Sequence, residues 1–478
     1  MKNIFRSGIS LQRYITLCLS VSVLTACGDG TVSSSVDNEQ PATYTYSELV
    51  NLTSYDVGLY RFGSDGSAKL VRNIDHTGAV DAMFFGEING ITFFSTRTDT
   101  NGRELWRTDG SSDGTYMVQD LNPGTANGIF YGAEGIVFNN ALYFGGLSQA
   151  YPGTALWTLV NESTGPEFVT NTRSSTSSNA DPSDFLVYDG RLIFNALEDN
   201  GSGGTNHKVF VGTGTAGNDT LIDSTVSSND GFSTDQALIF KGDLYFQGSA
   251  GLYADGGKGD VLFKSDGTQA GTKVLADINE TSYLNSDARI GNLVSVGNYF
   301  VFSANDAADD DNNTTYDNSE IWVSDGTTAG TQMIKNLQLG STYIGSLVSN
   351  GTTAYFVAVA EDSSTFEIWR TQGTAATTEM IDSFEGETYL YSYGDQVIAV
   401  TREAYGSYVV YQLNGATNDF APLHTFPSPV DYAFALGDRI FVLIDNMGWK
   451  ELWSYNKGDS DFTKVTIGGD YNVGVNAH

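Results

Sequence analysis

Glu320–Leu337 reads EIWVSDGTTAGTQMIKNL, and the same pattern returns in Glu104–Leu121 (ELWRTDGSSDGTYMVQDL) and Val261–Ile278 (VLFKSDGTQAGTKVLADI). The block opens on a short apolar run, Glu320-Ile321-Trp322-Val323, whose alternation puts the aromatic on one face of a strand. Asp325-Gly326-Thr327 follows as a corner: glycine supplies a positive φ without steric cost, and the aspartate can accept hydrogen bonds from the amides of the turn. A second Gly-Thr, Gly330-Thr331, leads into the strand Gln332-Met333-Ile334-Lys335. The block therefore predicts a β-hairpin.

Nine copies follow one another, marked by an aromatic anchor at Tyr60, Trp106, Trp157, Phe210, Phe263, Trp322, Trp369, Tyr411 and Trp453. Their spacings are 46, 51, 53, 53, 59, 47, 42 and 42 residues. A second kind of hairpin lies between blocks: Ala237–Phe240 with Asp243–Gln247, Leu293–Val296 with Tyr299–Ser303, and Phe185–Val187 with Arg191–Ala196. Their two-residue turns, Lys241-Gly242, Gly297-Asn298 and Asp189-Gly190, suit tight antiparallel pairs. Four short strands per unit of about 40–50 residues predict an all-β chain, a single β-propeller of four-stranded blades. The expected count is eight blades, with seven and nine open; the first block, Gly58–Ile74, is either surplus or used in ring closure.

The blocks resemble those of the ELWxxDGT-repeat family of bacterial exported proteins, over about Val57 to Ile467. The copy EIWRTQGTAATTEMIDSF replaces the corner aspartate with Gln372, and ALWTLVNESTGPEFVTNT keeps little beyond Leu156-Trp157. The resemblance implies a propeller-like array and export. It implies no reaction.

Lys2, Arg6 and Arg13 precede the apolar run Tyr14–Leu24, which is too short to span a bilayer and reads as a secretory signal. Leu24-Thr25-Ala26-Cys27 resembles a bacterial lipobox, which implies cleavage before Cys27, acylation of that residue and a membrane anchor. Gly28 after the cysteine implies the outer membrane by similarity to sorted lipoproteins. The expected organisation is a signal over 1–26, the acylated cysteine and a polar tether over 27–43, and the propeller over 44–478. Cys18 leaves with the signal, so the remaining chain carries no cysteine nucleophile, thiolate zinc site or disulfide. After cleavage 21 basic residues face 57 acidic ones, a net charge of −36. Such a surface repels nucleic acid and most polyanions.

The longest insertion, Asn305–Ser319, contains Asp309, Asp311, Asn313, Thr315 and Asp317, which with Glu320 fall at the spacing of a calcium loop. Thr314 stands where glycine is wanted, and Glu320 already belongs to the repeat, since Glu104, Glu367 and Glu451 fill the same slot. Calcium and a solvated acidic loop are both open readings. The histidines, His76, His207, His424 and His478, are scattered, with His207 assigned to the loop Asp199–His207. The Asp-Gly-Thr corners resemble sialidase Asp-boxes, which are structural, and no arginine triad accompanies them. Trp449 is the one tryptophan off the anchor, assigned to the loop Asp445–Lys450. Tyr389, Tyr391 and Tyr393 alternate as one strand face would, and packing is the expected role.

The leading functional expectation is an outer-membrane-anchored, non-enzymatic scaffold that contacts envelope protein or polysaccharide. The alternatives are a propeller enzyme acting on a glycan or lactone and an accessory subunit of an envelope assembly complex. The enzyme reading requires carboxylates converging on the innermost strands.

Overall fold

The computed structural model describes residues 44–49, 58–63, 68–74, 82–201, 203–212, 220–221, 237–249, 260–279, 288–305, 319–337, 342–360, 365–403, 406–415, 417–436, 438–446, 449–465 and 467–468. Among them the chain is all-β, of β-propeller type, with one short 3₁₀ turn at Ala375–Thr377. Eight four-stranded sheets are wholly antiparallel and follow one another in sequence. They are sheet 2 (83–119), sheet 3 (135–170), sheet 4 (183–221), sheet 5 (238–276), sheet 6 (294–335), sheet 7 (342–384), sheet 8 (388–426) and sheet 9 (430–464). These eight agree with the expected blade number. The first block forms one more, sheet 1, from Tyr44–Leu49, Gly58–Gly63 and Ala68–Asn73, completed by Ile467–Gly468 running parallel to Ala68 and Lys69. Two compact units are distinguished, dividing after Tyr131 and after Pro427. Sheets 1, 2 and 9 belong to one and sheets 3 to 8 to the other.

Period-two alternation explains how each sheet serves two neighbours. In sheet 5 Val261 and Phe263 pack against Tyr188, Ile193 and Val209 of sheet 4, while Leu262 and Tyr245 pack against Phe300 and Phe302 of sheet 6. Sheet 6 repeats this, turning Val301, Ile321 and Val323 toward Phe356 of sheet 7. A second aromatic column lies one strand inside the anchors. Phe94 pairs with Trp106, Phe144 with Trp157, Phe194 with Phe210, Phe246 with Phe263, Phe302 with Trp322 and Phe356 with Trp369. Phe246 and Phe263 stack with centroids 5.5 Å apart, and burying each such ring contributes about 2–3 kcal/mol. The ladder shifts by one residue immediately before the anchor in seven sheets, for example at Leu105/Trp106, Ile321/Trp322 and Ile368/Trp369. That recurring bulge belongs to the repeat.

The Asp-Gly-Thr corners close on themselves. Asp325 Oδ1 accepts the Thr327 N–H at 2.9 Å and its hydroxyl at 2.7 Å, and Thr327 Oγ1 accepts the Gly330 N–H at 3.0 Å. Asp266 and Asp109 form the same circuit with Thr268 and Ser111. These bonds hold all three carboxyls below their ordinary range. Each corner also docks on the preceding sheet. Lys241 Nζ donates to Asp325 O at 3.3 Å, and a Cβ on Gly326 would lie 2.4 Å from Tyr245 Oη. Arg191 Nη1 donates to Asp266 O, also at 3.3 Å, and Tyr188 and Arg191 crowd Gly267. The corners are joints between blades.

Candidate active site

Strand direction puts the corners and the innermost hairpin turns at one end of each sheet. The loops between the two middle strands and the connections to the next sheet share the other end. The first end repeats from sheet to sheet, so chemistry specific to this chain is sought at the second.

Glu134 directly precedes the innermost strand of sheet 3, Gly135–Phe138, and Asp184 is the second residue of the innermost strand of sheet 4, Ser183–Tyr188. Glu134 Oε2 accepts the Asp184 backbone N–H at 2.6 Å, so the acid of one innermost strand reaches the backbone of the next. Asp184 Oδ2 accepts the Asn195 amide at 3.1 Å and the Ser183 hydroxyl at 3.0 Å. Asp181 Oδ1 accepts the Thr154 hydroxyl at 2.6 Å, and the Asp181 N–H returns to Thr154 Oγ1 at 2.8 Å.

The backbone here is unusual. Asp181 and Asp184 have φ of 46° and 52°, in the left-handed region that costs most L-residues about 1–2 kcal/mol. The ladder slips between Ser183 and Leu186, and this bulge carries Asp184 onto the innermost strand.

A second buried acid lies in sheet 2. Glu104 is fully buried, and its two oxygens accept the N–H groups of Leu121 at 2.9 Å and Gly128 at 2.7 Å. Burial pushes its pKa up to about 7; the Leu121 and Gly128 bonds oppose that shift and the charge of Asp120 adds to it. A Cβ at Gly128 would lie 2.4 Å from Glu104 Oε2, so the connection between sheets 2 and 3 is fitted to this carboxylate. Its role is to pin the connection.

Several expectations need revising. His207 is not in a loop: the hairpin ladder continues through Leu197↔His207 to Asp199↔Thr205, which makes it a strand residue. Trp449 likewise pairs with Asn446 in a hairpin, because the flanking strands run on to the turn. Tyr393 is buried as packing requires, whereas Tyr389 is 37% exposed. Glu320 is 5% exposed, in the strand slot equivalent to Glu104. The other calcium-loop positions, Asp309, Asp311, Asn313, Thr315 and Asp317, lie outside the described residues, as does Cys27. No group of three or more metal-ligating side chains occurs among the described residues.

Glu134, Asp181 and Asp184 were missed in the sequence. The signal was Ala180-Asp181-Pro182-Ser183-Asp184, two acids astride a proline at the foot of a strand. Strict alternation begins that strand at Phe185, and the bulge adds two residues to it.

No family model matches this chain, and no curated protein matches it. Solved structures do. A puromycin hydrolase aligns at 10% identity over 82% of this chain and 55% of its own, with a TM-score of 0.43. The oligogalacturonate lyase of Vibrio parahaemolyticus aligns at 10% identity over 87% and 98%, with a TM-score of 0.37. The periplasmic gluconolactonase of Pseudomonas aeruginosa aligns at 14% identity over 66% and 93%, with a TM-score of 0.34. This chain spans little more than half of the puromycin hydrolase. The likeness is one of architecture. All three are enzymes, and with that finding the leading expectation of a non-enzymatic scaffold is withdrawn.

Proposed function

We propose that this chain is a propeller enzyme that hydrolyses a C1–O bond of an uncharged sugar substrate, a glycoside or a sugar lactone. One observation carries the reading: Glu134 and Asp184, from neighbouring innermost strands, are joined through the 2.6 Å bond to the Asp184 N–H. That bond sets the Glu134 carboxylate against the backbone of the residue that carries the second carboxyl, and carboxylate-pair glycosidases work with the two groups roughly 5–9 Å apart. Asp184, held by Asn195 and Ser183, is positioned to take the proton of a water that attacks C1. Glu134 is suited to give the departing oxygen its proton. The strong negative charge of the chain favours neutral over acidic sugars.

The test is turnover of a panel of neutral glycosides and aldonolactones by the wild type, Glu134→Gln and Asp184→Asn. Each substitution keeps the size of the side chain and should lower kcat by about 10²–10⁴-fold. Unchanged turnover in both variants, or no turnover by the wild type, sinks the proposal.

The same proposal places the enzyme in the cell envelope, lipid-anchored at Cys27, as a member of the ELWxxDGT-repeat type. The Leu24–Cys27 lipobox and the repeated blocks support that placement. A fatty-acid label that enters the wild type and not Cys27→Ala checks the anchor.

A further inference from the structure

Large hydrophobic side chains with substantial exposure are few among the described residues, and most sit where a propeller leaves them. Tyr116, Val274 and Met380 lie on outermost strands, and Val160 lies at a corner. Tyr131 is different. It is 72% exposed, on the connection that follows sheet 2, and three residues before Glu134 in the chain.

Its mounting is rigid. The Gly128 and Ile129 N–H groups both donate to Arg103 O at 3.0 Å, Gly128 also binds Glu104, and Ile129 is fully buried. The Arg103 guanidinium lies 5.7 Å from the Tyr131 ring centroid and is anchored to Ser95 Oγ at 3.3 Å, with Arg103 itself only 2% exposed. A buried cation thus backs a ring that is largely open to solvent. A cover for Arg103 would bury the ring in return, and this ring is the most exposed large hydrophobic side chain described.

We infer that Tyr131 is an aromatic platform that stacks on the C–H face of an uncharged sugar ring, held in place by Arg103. The choice of a sugar rests on the function proposed above, and the net charge excludes polyanions. Tyr131 is a binding residue, with no part in proton transfer.

Tyr116 supplies the control. It too carries an arginine over its ring, Arg107 at 5.1 Å, but it lies on the outermost strand of sheet 2 and is 42% exposed. The experiment measures retardation of the full-length protein in gels containing neutral glucans, xylans or mannans, and titration calorimetry with the matching oligosaccharides. Tyr131→Ala should weaken binding about tenfold, Tyr131→Trp should retain it, and Tyr116→Ala should leave it unchanged. Equal affinity in the wild type and Tyr131→Ala overturns the inference, as does equal loss in Tyr116→Ala or no binding by the wild type. The two proposals separate cleanly: Tyr131-dependent binding without turnover removes the catalytic reading alone, and turnover with KM and affinity unchanged in Tyr131→Ala removes the platform alone.

Discussion

Glu104 of sheet 2 and Asp325 of sheet 6 are each a single carboxylate that accepts two hydrogen bonds and pins a turn. Glu104 is buried, and its pKa rises to about 7. Asp325 is only partly buried, and the hydroxyl and amide of Thr327 lower its pKa. The same gesture thus has opposite electrostatic consequences at the two ends of the sheets. Desolvation outweighs the donors in one place and is nearly absent in the other. The corner version can be copied from blade to blade, because it needs only its own turn. The buried version is fitted to one connection.

The sharpest way to separate the two is pH. A raised pKa means that folded Glu104 retains a proton which the unfolded chain releases. Its contribution is therefore complete below about pH 4.5 and gone by about pH 7, a change on the order of 3 kcal/mol. Urea unfolding across that window should show the decline in the wild type and lose it in Glu104→Gln; a slope that survives the substitution would place its origin elsewhere.

Next in size is Gly326→Ala at the corner. It forces a Cβ into φ 91° and to 2.4 Å from Tyr245 Oη, at a cost of about 2 kcal/mol in the same assay. A neutral result would mean that the sheet 5–sheet 6 joint is looser than described.

The corner of sheet 7 refines the comparison further. Gln372 replaces the aspartate, and Thr377 stands where Gly330 stands in sheet 6. The two changes belong together. A Cβ at Gly330 would lie 2.1 Å from Asp325 Oδ1, whereas at the sheet 7 corner Thr377 Oγ1 takes over, accepting the Gln372 and Thr374 N–H groups at 3.2 and 3.3 Å. Gln372→Asp alone should destabilise by about 1 kcal/mol, and Gln372→Asp with Thr377→Gly should recover most of it. Additive effects would show that the two positions are independent.

The smallest expected difference is in acid. Lowered pKa values make the stability supplied by Asp109, Asp266 and Asp325 complete above about pH 4 and lost as pH falls through their folded values. Amide exchange at those corners should quicken on acidification, and the sheet 7 corner should stay unchanged.

The repeated parts of the molecule were legible because each is local. Asp-Gly-Thr predicts its own corner, and alternation around Trp322 predicts its own strand. The second aromatic column is equally visible in Phe94, Phe144, Phe194, Phe246, Phe302 and Phe356, although the anchors alone suffice for the period. The carboxylate pair was hidden for a different reason. Glu134 and Asp184 are 50 residues apart, and their meeting depends on a bulge and on two left-handed aspartates that no periodicity announces. Tyr131 was invisible for want of burial, since a tyrosine in a connection reads the same whether it is covered or open.

Sheet 1 gives the protein an order of assembly. Its fourth strand, Ile467–Gly468, pairs with residues about 400 positions earlier, whereas every other sheet is made from one continuous stretch. Closing a loop that long costs about 2 kcal/mol more than closing one of blade length. Sheets 2 to 9 can therefore form as their segments become available, and sheet 1 waits for its fourth strand until nearly all of the chain has been delivered. A chain that stalls before residue 467 leaves the edge strand Ala68–Asn73 unpaired, which makes that edge the place where an interrupted copy would recruit another.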